Sequence, residues 1–275
     1  MMPMDINVVM PTLNSSRTLA EAVTKVKTHL KPKRIVVVDG GSKDGTQRIA
    51  KDLGCEVLVD ASSLGSARMT GIKACDSELI CFVDDDIYIS QGFREKMLGY
   101  LDDRTGAVQG IALLLESHAR SRSLEYLKRR FAGREYLELK RNERGYTNAT
   151  LVRRQLLVDL DISDMDAYED LVIARHVIDK GFLWKVVPVY VDHDHRARAN
   201  LFRSAWNYAG VWNLGRTGRL SMGETVTMFA KFAYSHPVEM VHALRKSDME
   251  VLKMHTKLLL GAIVSPFFVR RHRRA

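Results

Sequence analysis

The chain has 275 residues, of which 46% are hydrophobic and 27% are charged, and it carries a formal net charge of +9. A chain of this length buries a full core, so one large domain, or one domain with an appendage, needs no stabilisation from disulfides or a partner. The three cysteines form neither a CxxC pair nor an even framework. They exclude a disulfide scaffold and a thiolate zinc site, and they favour a reducing compartment.

The N-terminal residues lead directly into the apolar stretch Ile6–Met10. They leave no room for the charged region, apolar region and cleavage site of a secretory signal peptide. We therefore expect a cytoplasmic protein.

Apolar runs rich in β-branched residues alternate with helical periodicity over the first 83 residues. The runs are Asp5–Met10, Arg34–Val38, Cys55–Val59 and Leu79–Val83. Stretches between them, such as Arg17–Leu30 and Thr46–Leu53, have the apolar spacing of helices. This alternation predicts an α/β fold in which helices cover a mostly parallel sheet.

Polar residues follow each of these four runs. They are Pro11–Asn14, Asp39–Ser42, Asp60 and Asp84–Asp86. Ligands of open parallel sheets bind beyond the carboxyl ends of the strands, so we expect a binding site at this edge.

The second half of the sequence predicts a mixture of strands and helices. The predicted elements are a strand at Ala107–Leu115, a basic amphipathic helix at Arg120–Lys140, a helix at Ala167–Lys180 ended by Gly181, and a strand at Leu183–Val191 interrupted by Pro188. After about residue 200, aromatic and methionine-rich stretches separated by Gly and Pro predict a helical appendage. We therefore divide the chain into domains 1–200 and 201–275.

Two segments carry the positive charge. Residues 120–154 have 11 basic and 4 acidic groups, and residues 201–275 have 12 and 4. Basic segments attract nucleic acid, anionic membranes and phosphorylated ligands alike, so charge alone does not identify the partner.

The apolar stretch Leu258–Val269 leads into the basic run Arg270–Arg274. It is shorter than the about 20 residues needed to span a bilayer. We predict an interfacial segment with a basic anchor on anionic lipid. A helix docked on its own domain, with a solvated tail, is the alternative.

Three consecutive aspartates, Asp84, Asp85 and Asp86, directly follow the fourth apolar run. Concentrated negative charge at a buried strand end is costly unless a cation compensates it. We expect Asp84 and Asp86 to share a Mg²⁺ or Mn²⁺ that also binds phosphate oxygens, and a solvated acidic turn is the alternative.

The turn Asp39–Thr46 places two glycines directly after a strand and permits close approach of a ligand to the backbone. The first βα turn has no GxGxxG, and the chain has no GxxxxGK[ST]. Nicotinamide chemistry and NTP hydrolysis are therefore disfavoured.

Five segments together resemble glycosyltransferase family 2, whose members have the GT-A fold. They are Pro11–Asn14, Val38–Thr46, Gly65–Ile72, Asp84–Asp86 and Tyr168–Leu171, and they match that family in order and spacing across about residues 5–200. The resemblance implies a Rossmann-like sheet flanked by helices. It also implies a metal-dependent, inverting transfer of a hexosyl or N-acetylhexosaminyl group from a UDP- or GDP-sugar.

The resemblance also assigns roles to individual residues. The donor is expected to contact Pro11, Thr12, Asn14, Asp39, Gly41, Arg68, Asp84 and Asp85. The Mn²⁺ or Mg²⁺ is expected on Asp84, Asp86, His193 and His195. Asp170 is the expected base that deprotonates the acceptor, with Glu169 in a supporting role. Ser15 stands where the family often has an acidic residue.

The acceptor face is expected between the aspartate triplet and Glu169. It would include the basic helix, the segment Asn148–Arg154 and Arg196, so an anionic acceptor is favoured. Together with the C-terminus, this predicts a polyprenyl phosphate or lipid-linked saccharide at the cytoplasmic membrane face, contacted through residues 256–275. No nucleic acid is expected.

Two alternatives stay open at this point. A sugar nucleotidyltransferase would share the fold, but it usually has a Gly-rich basic loop after the first strand, which PTLNSSRTL lacks. A non-catalytic or degenerate binder of nucleotide sugars or nucleic acid would show steep salt dependence or missing motif residues.

Overall fold

A computed structural model provides the coordinates. It describes residues 4–115, 117–194, 201–245, 247 and 249–265. The chain divides into two compact units, residues 1–195 and residues 196–275.

The first unit is built on one sheet. Its strands are β1 (Ile6–Thr12), β2 (Arg34–Asp39), β3 (Glu56–Val59), β4 (Leu79–Val83), β5 (Ile87–Tyr88), β6 (Thr105–Leu114), β7 (Leu137–Glu138), β8 (Ala149–Arg153) and β9 (Leu183–His193). Its helices are α1 (Leu19–His29), α2 (Thr46–Asp52), α3 (Leu64–Ala74), α4 (Phe93–Leu98), α5 (Ser117–Phe131) and α6 (Glu169–Asp179).

The strand order is β3-β2-β1-β4-β8-β6-β9-β5, and β7 pairs with β9. The first four strands are mutually parallel. Strand β8 is antiparallel to both β4 and β6, whereas β6 and β9 are parallel. The predicted α/β class with a largely parallel sheet is confirmed.

The central strands are buried on both faces, as the apolar runs predicted. All five residues of β4 are buried, and so are six of the seven in β1. One face packs on α1 through residues such as Leu19 and Val23, which share a core with Val8 and Cys81. Helix-covered parallel strands need this continuous apolar pattern.

Two elements predicted in the second half need correction. The predicted basic helix over 120–140 is wrong beyond Phe131, because Ala132 and Gly133 adopt positive φ and β7 follows. The late strand is not interrupted at Pro188. It continues to His193, and its pairing with β6 shifts register around the proline, which has no N–H to donate.

Strand β8 was not predicted as a strand. Its residues Ala149–Val152 are buried between β4 and β6, so this segment is interior rather than an acceptor surface. Arg153 pairs in register with Leu79, at the amino end of β4. It therefore lies at the edge opposite the aspartate triplet, and its assignment to the acceptor face is wrong.

The second unit is helical over its described residues, as predicted. It contains α7 (Leu201–Arg216), α8 (Met222–Arg245) and α9 (Met249–Val264). The ring of Phe229 contacts Tyr208 and Trp212, and His236 contacts Tyr208 and His255. Across the described residues, none of the helices combines the length and the apolar character that crossing a membrane requires.

Glycines allow α3 to approach its neighbours closely. A Cβ on Gly65 would overlap the backbone carbonyl of Ile162, and the Gly65 N–H donates to the Met165 carbonyl at 2.8 Å. The Ser63 hydroxyl donates to the Ser163 carbonyl at 2.7 Å. These contacts fix the start of α3 against the loop that leads into α6.

Replacing Gly65 with alanine is therefore expected to destabilise the first unit. The new methyl group meets backbone rather than a movable side chain, and overpacking of this kind costs about 1–3 kcal/mol of unfolding free energy. Urea unfolding followed by circular dichroism measures it. Gly99→Ala is the matched control, because its Cβ would make only ordinary contacts. Equal stability of the two variants would contradict the prediction.

Candidate active site

The turn that follows β2 is organised around Asp39, the last residue of that strand. Its Oδ1 accepts hydrogen bonds from the N–H groups of Gly41 and Ser42 at 3.0 and 2.8 Å and from the Gln47 amide at 2.7 Å. The Thr12 hydroxyl donates to Oδ2 at 3.3 Å. Burial alone would raise the pKa of Asp39, but these hydrogen bonds lower it below its ordinary value. Asp39 is thus a fixed, buried carboxylate.

The loop after β1 lies beside this turn. Asn14 adopts positive φ, its N–H donates to the Ser42 hydroxyl at 2.7 Å, and its side-chain oxygen accepts from the Lys43 N–H at 3.0 Å. Gly41 has φ of 91°, a backbone conformation that favours glycine. Pro11 is half-buried one residue before Thr12. The two loops therefore form a single polar rim.

Ser15 connects this rim to the aspartate triplet. Its N–H donates to the Thr46 hydroxyl at 2.8 Å, and its own hydroxyl donates to Asp85 in a short hydrogen bond. Burial, with the neighbouring Asp84 and Asp86, raises the pKa of Asp85 to about 7. The serine thus contacts the triplet directly, at a position where an acidic residue would add further negative charge.

Asp84 and Asp86 lie at the carboxyl end of β4. The Asp84 N–H donates to the Asn148 carbonyl at 3.3 Å, and the Asp86 carbonyl accepts from the Asp194 N–H at 2.9 Å. Both aspartates are half-buried. Burial raises the pKa of Asp84 above its ordinary value, although Arg68 opposes this effect. Ionised aspartates here therefore need a compensating cation.

His193, the last residue of β9, reaches the same place. Its Nε2 lies 3.2 Å from Oδ2 of Asp86. Burial alone would lower its pKa, but the hydrogen bond and charge of Asp86 raise it. Asp194 is held beside it by Arg17 at 3.1 Å and by the Tyr88 hydroxyl at 3.3 Å. The predicted metal ligand His195 and the expected acceptor contact Arg196 lie outside the described residues.

The chemistry of this donor set suits a hard divalent cation. Within the described part of the chain, no group of three His, Cys, Asp or Glu residues is arranged to hold a metal by protein ligands alone. Mg²⁺ in nucleotide sites uses one or two carboxylates and takes its remaining ligands from phosphate and water. Asp84 and Asp86 fit that role, and His193 adds a nitrogen that suits Mn²⁺.

Arg68 joins the aspartate triplet to the start of α6. The side chain is 3% exposed. Its Nη2 donates to Asp84 at 3.2 Å and its Nε donates to Glu169 at 3.0 Å. Its Nη1 is buried without a hydrogen-bond partner. Burial raises the pKa of Glu169 and Arg68 opposes the rise. A buried guanidinium with one unsatisfied donor is arranged to receive an additional acceptor atom.

Asp170 is buried next to Glu169 and forms a bidentate ion pair. Nε of Arg144 lies 3.0 Å from each carboxylate oxygen, and its Nη2 lies 2.8 Å from Oδ2. The guanidinium of Arg144 also lies over two tyrosine rings, 5.1 Å from the centroid of Tyr146 and 4.4 Å from that of Tyr168. The expected base is therefore held by a cation that sequence reasoning did not identify.

Comparison with known families decides which family this is. The family model "Glycosyl transferase family 2" matches residues 7–159, more than half of the chain. The chain belongs to glycosyl transferase family 2. This confirms the resemblance carried by the five motifs, and it disfavours a sugar nucleotidyltransferase.

Relatives within the family include the pre-mycofactocin glycosyltransferase of Mycobacterium tuberculosis. It is 29% identical over 208 residues, which cover 70% of this chain but 43% of the relative. Glycosyltransferase AglE of Haloferax volcanii is 30% identical over 101 residues, 33% of each protein. The chain thus spans less than half the length of these curated relatives.

Solved structures share the fold of this family 2 chain. A mannosyltransferase from Pyrobaculum calidifontis, in complex with GDP-mannose and Mn²⁺, aligns with a TM-score of 0.67 at 15% identity and covers 98% of this chain and 90% of its own. Glucosyl-3-phosphoglycerate synthase from M. tuberculosis, with Mn²⁺, UDP and its product, aligns with a TM-score of 0.52 at 19% identity over 71% and 73%. At these identities the likeness establishes the fold.

Proposed function

We propose that this chain is a metal-dependent glycosyltransferase that uses a UDP- or GDP-sugar. The observation that carries the proposal is the continuity of the site. Asp39 and its loops meet the aspartate triplet through Ser15, and Arg68 links the triplet to Glu169, beside Asp170. A donor pocket, a cation site and a candidate base therefore occupy one edge of the sheet.

The donor side would bind the nucleotide. Oδ2 of Asp39, which accepts from the Thr12 hydroxyl, would bind the donor base or ribose, and the glycines of the adjoining turn allow close approach of a ligand to the backbone. The buried, unsatisfied Nη1 of Arg68 supplies a donor for a phosphate oxygen. A Mn²⁺ or Mg²⁺ held by Asp84 and Asp86, with His193, would stabilise the negative charge of the leaving diphosphate.

The acceptor side would supply the nucleophile. Asp170 accepts the proton of an acceptor hydroxyl while that oxygen bonds to the anomeric carbon from the face opposite the leaving group. The bond from this carbon to the diphosphate oxygen breaks, and the diphosphate keeps the electron pair. A single displacement inverts the anomeric centre, so an NMR spectrum that shows retention would exclude it.

The structural neighbours support the donor and cation classes. The archaeal mannosyltransferase was solved with GDP-mannose and Mn²⁺, and glucosyl-3-phosphoglycerate synthase with UDP and either Mn²⁺ or Mg²⁺. Both support transfer of a hexosyl group, and an N-acetylhexosaminyl group is equally compatible with the residues described. UDP-sugars and GDP-sugars are therefore both proposed as donors.

A panel assay tests the transferase proposal. The full chain is incubated with Mn²⁺ or Mg²⁺ and each of a set of UDP- and GDP-sugars. Thermal shift measures binding, and release of the nucleoside diphosphate is followed with and without EDTA. We expect release from one donor class, abolished by EDTA. A chain that binds and turns over none of them with either cation is a degenerate member of the family, and the proposal fails.

We further propose an anionic acceptor, a polyprenyl phosphate or lipid-linked saccharide, met at a membrane surface through residues 256–275. Leu260 and Ile263 are exposed on α9, and basic residues follow them in the sequence. An apolar face with a basic flank binds anionic lipid. Removing residues 256–275 should abolish co-sedimentation with anionic liposomes, and unchanged co-sedimentation would remove this support.

The pKa values of the triplet predict a pH dependence of cation binding. Because the folded pKa of Asp85 is about 7, above its ordinary value, the favourable contribution of its protonated form is lost as the pH rises through 7. The pKa of Asp84 is raised as well. A divalent cation would offset the resulting repulsion, so Mg²⁺ should raise the melting temperature more at pH 8 than at pH 6. Equal shifts at both pH values would contradict this.

A further inference from the structure

Three N–H groups already donate to the carboxylate of Asp170, which offers about four acceptor positions. Nη2 of Arg144 donates to Oδ2 at 2.8 Å, and the Leu171 N–H donates to Oδ1 at 2.8 Å. The single Nε–H of Arg144 is shared between the two oxygens, at 3.0 Å from each. An acceptor hydroxyl that donates to Asp170 therefore competes with Arg144 for the carboxylate oxygens.

Arg144 has contacts besides its ion pair with Asp170, and these can keep it in position when the anionic partner changes. The guanidinium of Arg144 stacks against the rings of Tyr146 and Tyr168, and these contacts restrict its orientation. Its side chain is 30% exposed, whereas that of Asp170 is 7% exposed. Solvent, and hence a substrate, reaches the arginine more readily than the aspartate.

The displaced guanidinium needs a replacement anion. A partly buried cation that loses its ion-pair partner is destabilised unless another anion takes the place of that partner. Arginine binds planar carboxylates and phosphates through two parallel hydrogen bonds, so either group can replace the aspartate. The acceptor would supply this anion, because it binds at the step in which Asp170 separates from Arg144.

We propose that Arg144 binds an oxyanion of the acceptor, a phosphate or a carboxylate, and that this exchange frees Asp170 to act as the base. The inference rests on the proposed function and specifies the acceptor: a molecule whose anionic group lies next to its nucleophilic oxygen. An acceptor without such a group leaves Asp170 paired with Arg144, and the arginine then competes with the acceptor hydroxyl for the carboxylate. The ion pair therefore selects the acceptor.

The position of the pair fits an acceptor subsite. Asp170 follows Glu169, which Arg68 connects to Asp84. Asn148, whose carbonyl accepts from the Asp84 N–H, lies two residues after Tyr146. The acceptor anion on Arg144 and the diphosphate beside Asp84 are thus bound by separate positive groups on one side of the sheet.

Inorganic phosphate serves as the probe, titrated into the full chain already saturated with Mn²⁺ and the nucleoside diphosphate it binds. The variants are Arg144→Gln, Asp170→Asn and the control Arg141→Gln, which removes an equal charge from a nearby surface pair with Asp179 at 2.6 Å. Isothermal titration calorimetry gives the phosphate Kd of each. Titration with acetate separates carboxylate from phosphate recognition.

The two members of the ion pair should have opposite effects. Arg144→Gln should weaken phosphate binding by about tenfold or more, because the charge-assisted hydrogen bonds are lost. Asp170→Asn should tighten it by about tenfold, because phosphate no longer competes with the carboxylate. Arg141→Gln should leave it unchanged. If the ion pair is only structural, Arg144→Gln and Asp170→Asn should both weaken phosphate binding, or both leave it unchanged. Either result would overturn the proposal.

Failure of this inference is distinguishable from failure of the proposed function. Binding of the nucleoside diphosphate and Mn²⁺ is measured first in each variant, and it should be unchanged by Arg144→Gln. If the wild-type chain binds no nucleotide, the transferase proposal fails, and the phosphate titration on the nucleotide-free chain still tests Arg144. Nucleotide binding without a difference in phosphate affinity between wild type and Arg144→Gln overturns the inference alone.

Discussion

Asp170→Asn is expected to lower kcat by about 10²–10⁴ with a hydroxyl acceptor, because general-base catalysis contributes factors of this size. The amide keeps the size of the side chain but cannot take the proton. Asp170 contacts neither Asp39 nor the aspartate triplet through a described hydrogen bond, so donor and cation binding should be unchanged. Nucleoside diphosphate release under saturating donor measures kcat, and calorimetry measures donor affinity.

The size of the loss of kcat in Asp170→Asn also indicates whether the attacking group of the acceptor is a hydroxyl or a phosphate. A phosphate acceptor is already ionised near neutral pH and scarcely needs a base, so a loss below about tenfold would indicate direct attack by phosphate. Asp179→Asn, at the far end of the same helix, is the control, and it should retain full activity. Loss of donor binding in Asp170→Asn would instead show that the residue is structural.

Asp86→Ala is expected to remove cation-dependent donor binding. The carboxylate lies at the carboxyl end of β4, 3.2 Å from His193, and an alanine leaves one carboxylate, Asp84, with His193 to hold the cation. Metal-bridged diphosphate binding depends on these ligands, so donor affinity in Mn²⁺ should fall to the value measured in EDTA. Titration of the nucleotide sugar with and without Mn²⁺ measures both values.

Asp103→Ala provides the control for this substitution. Asp103 is exposed just before β6, at the opposite edge of the sheet, so its loss should not affect the Mn²⁺ dependence. If Asp86→Ala binds donor in Mn²⁺ as tightly as wild type does, the cation is not held by the triplet.

The sequence predicted the first half of the fold well because β1, β2 and β4 are almost wholly buried and largely apolar. The run Leu79–Val83 carries no polar residue, and the aspartate triplet follows it directly. The motif residues that follow β1, β2 and β4 consequently lie at one edge of the sheet. Periodicity does not identify β8 in the same way. This five-residue strand is not part of the alternation of strands and helices that marks the first four strands.

The hydrogen-bond and ion-pair partners of the site residues could not be predicted from the sequence. Arg144 lies 26 positions before Asp170, between β7 and β8, neither of which the sequence predicted as a strand. The paired tyrosines Tyr146 and Tyr168 were the available signal, since aromatic rings often flank an arginine. In the sequence, Ser15 only marks the absence of the acidic residue that the family often has. In the fold, its hydroxyl donates a hydrogen bond to Asp85.

Coupling between Mn²⁺ and a nucleoside diphosphate tests the central claim most directly, namely that the Asp39 pocket and the aspartate triplet form one site. Calorimetry on the full chain gives the affinity for UDP and for GDP with and without Mn²⁺, and the affinity for Mn²⁺ with and without each nucleotide. One shared site predicts that each ligand tightens the other by the same factor, about tenfold or more. Independent binding, or binding of neither nucleotide, would contradict a metal-dependent nucleotide-sugar site.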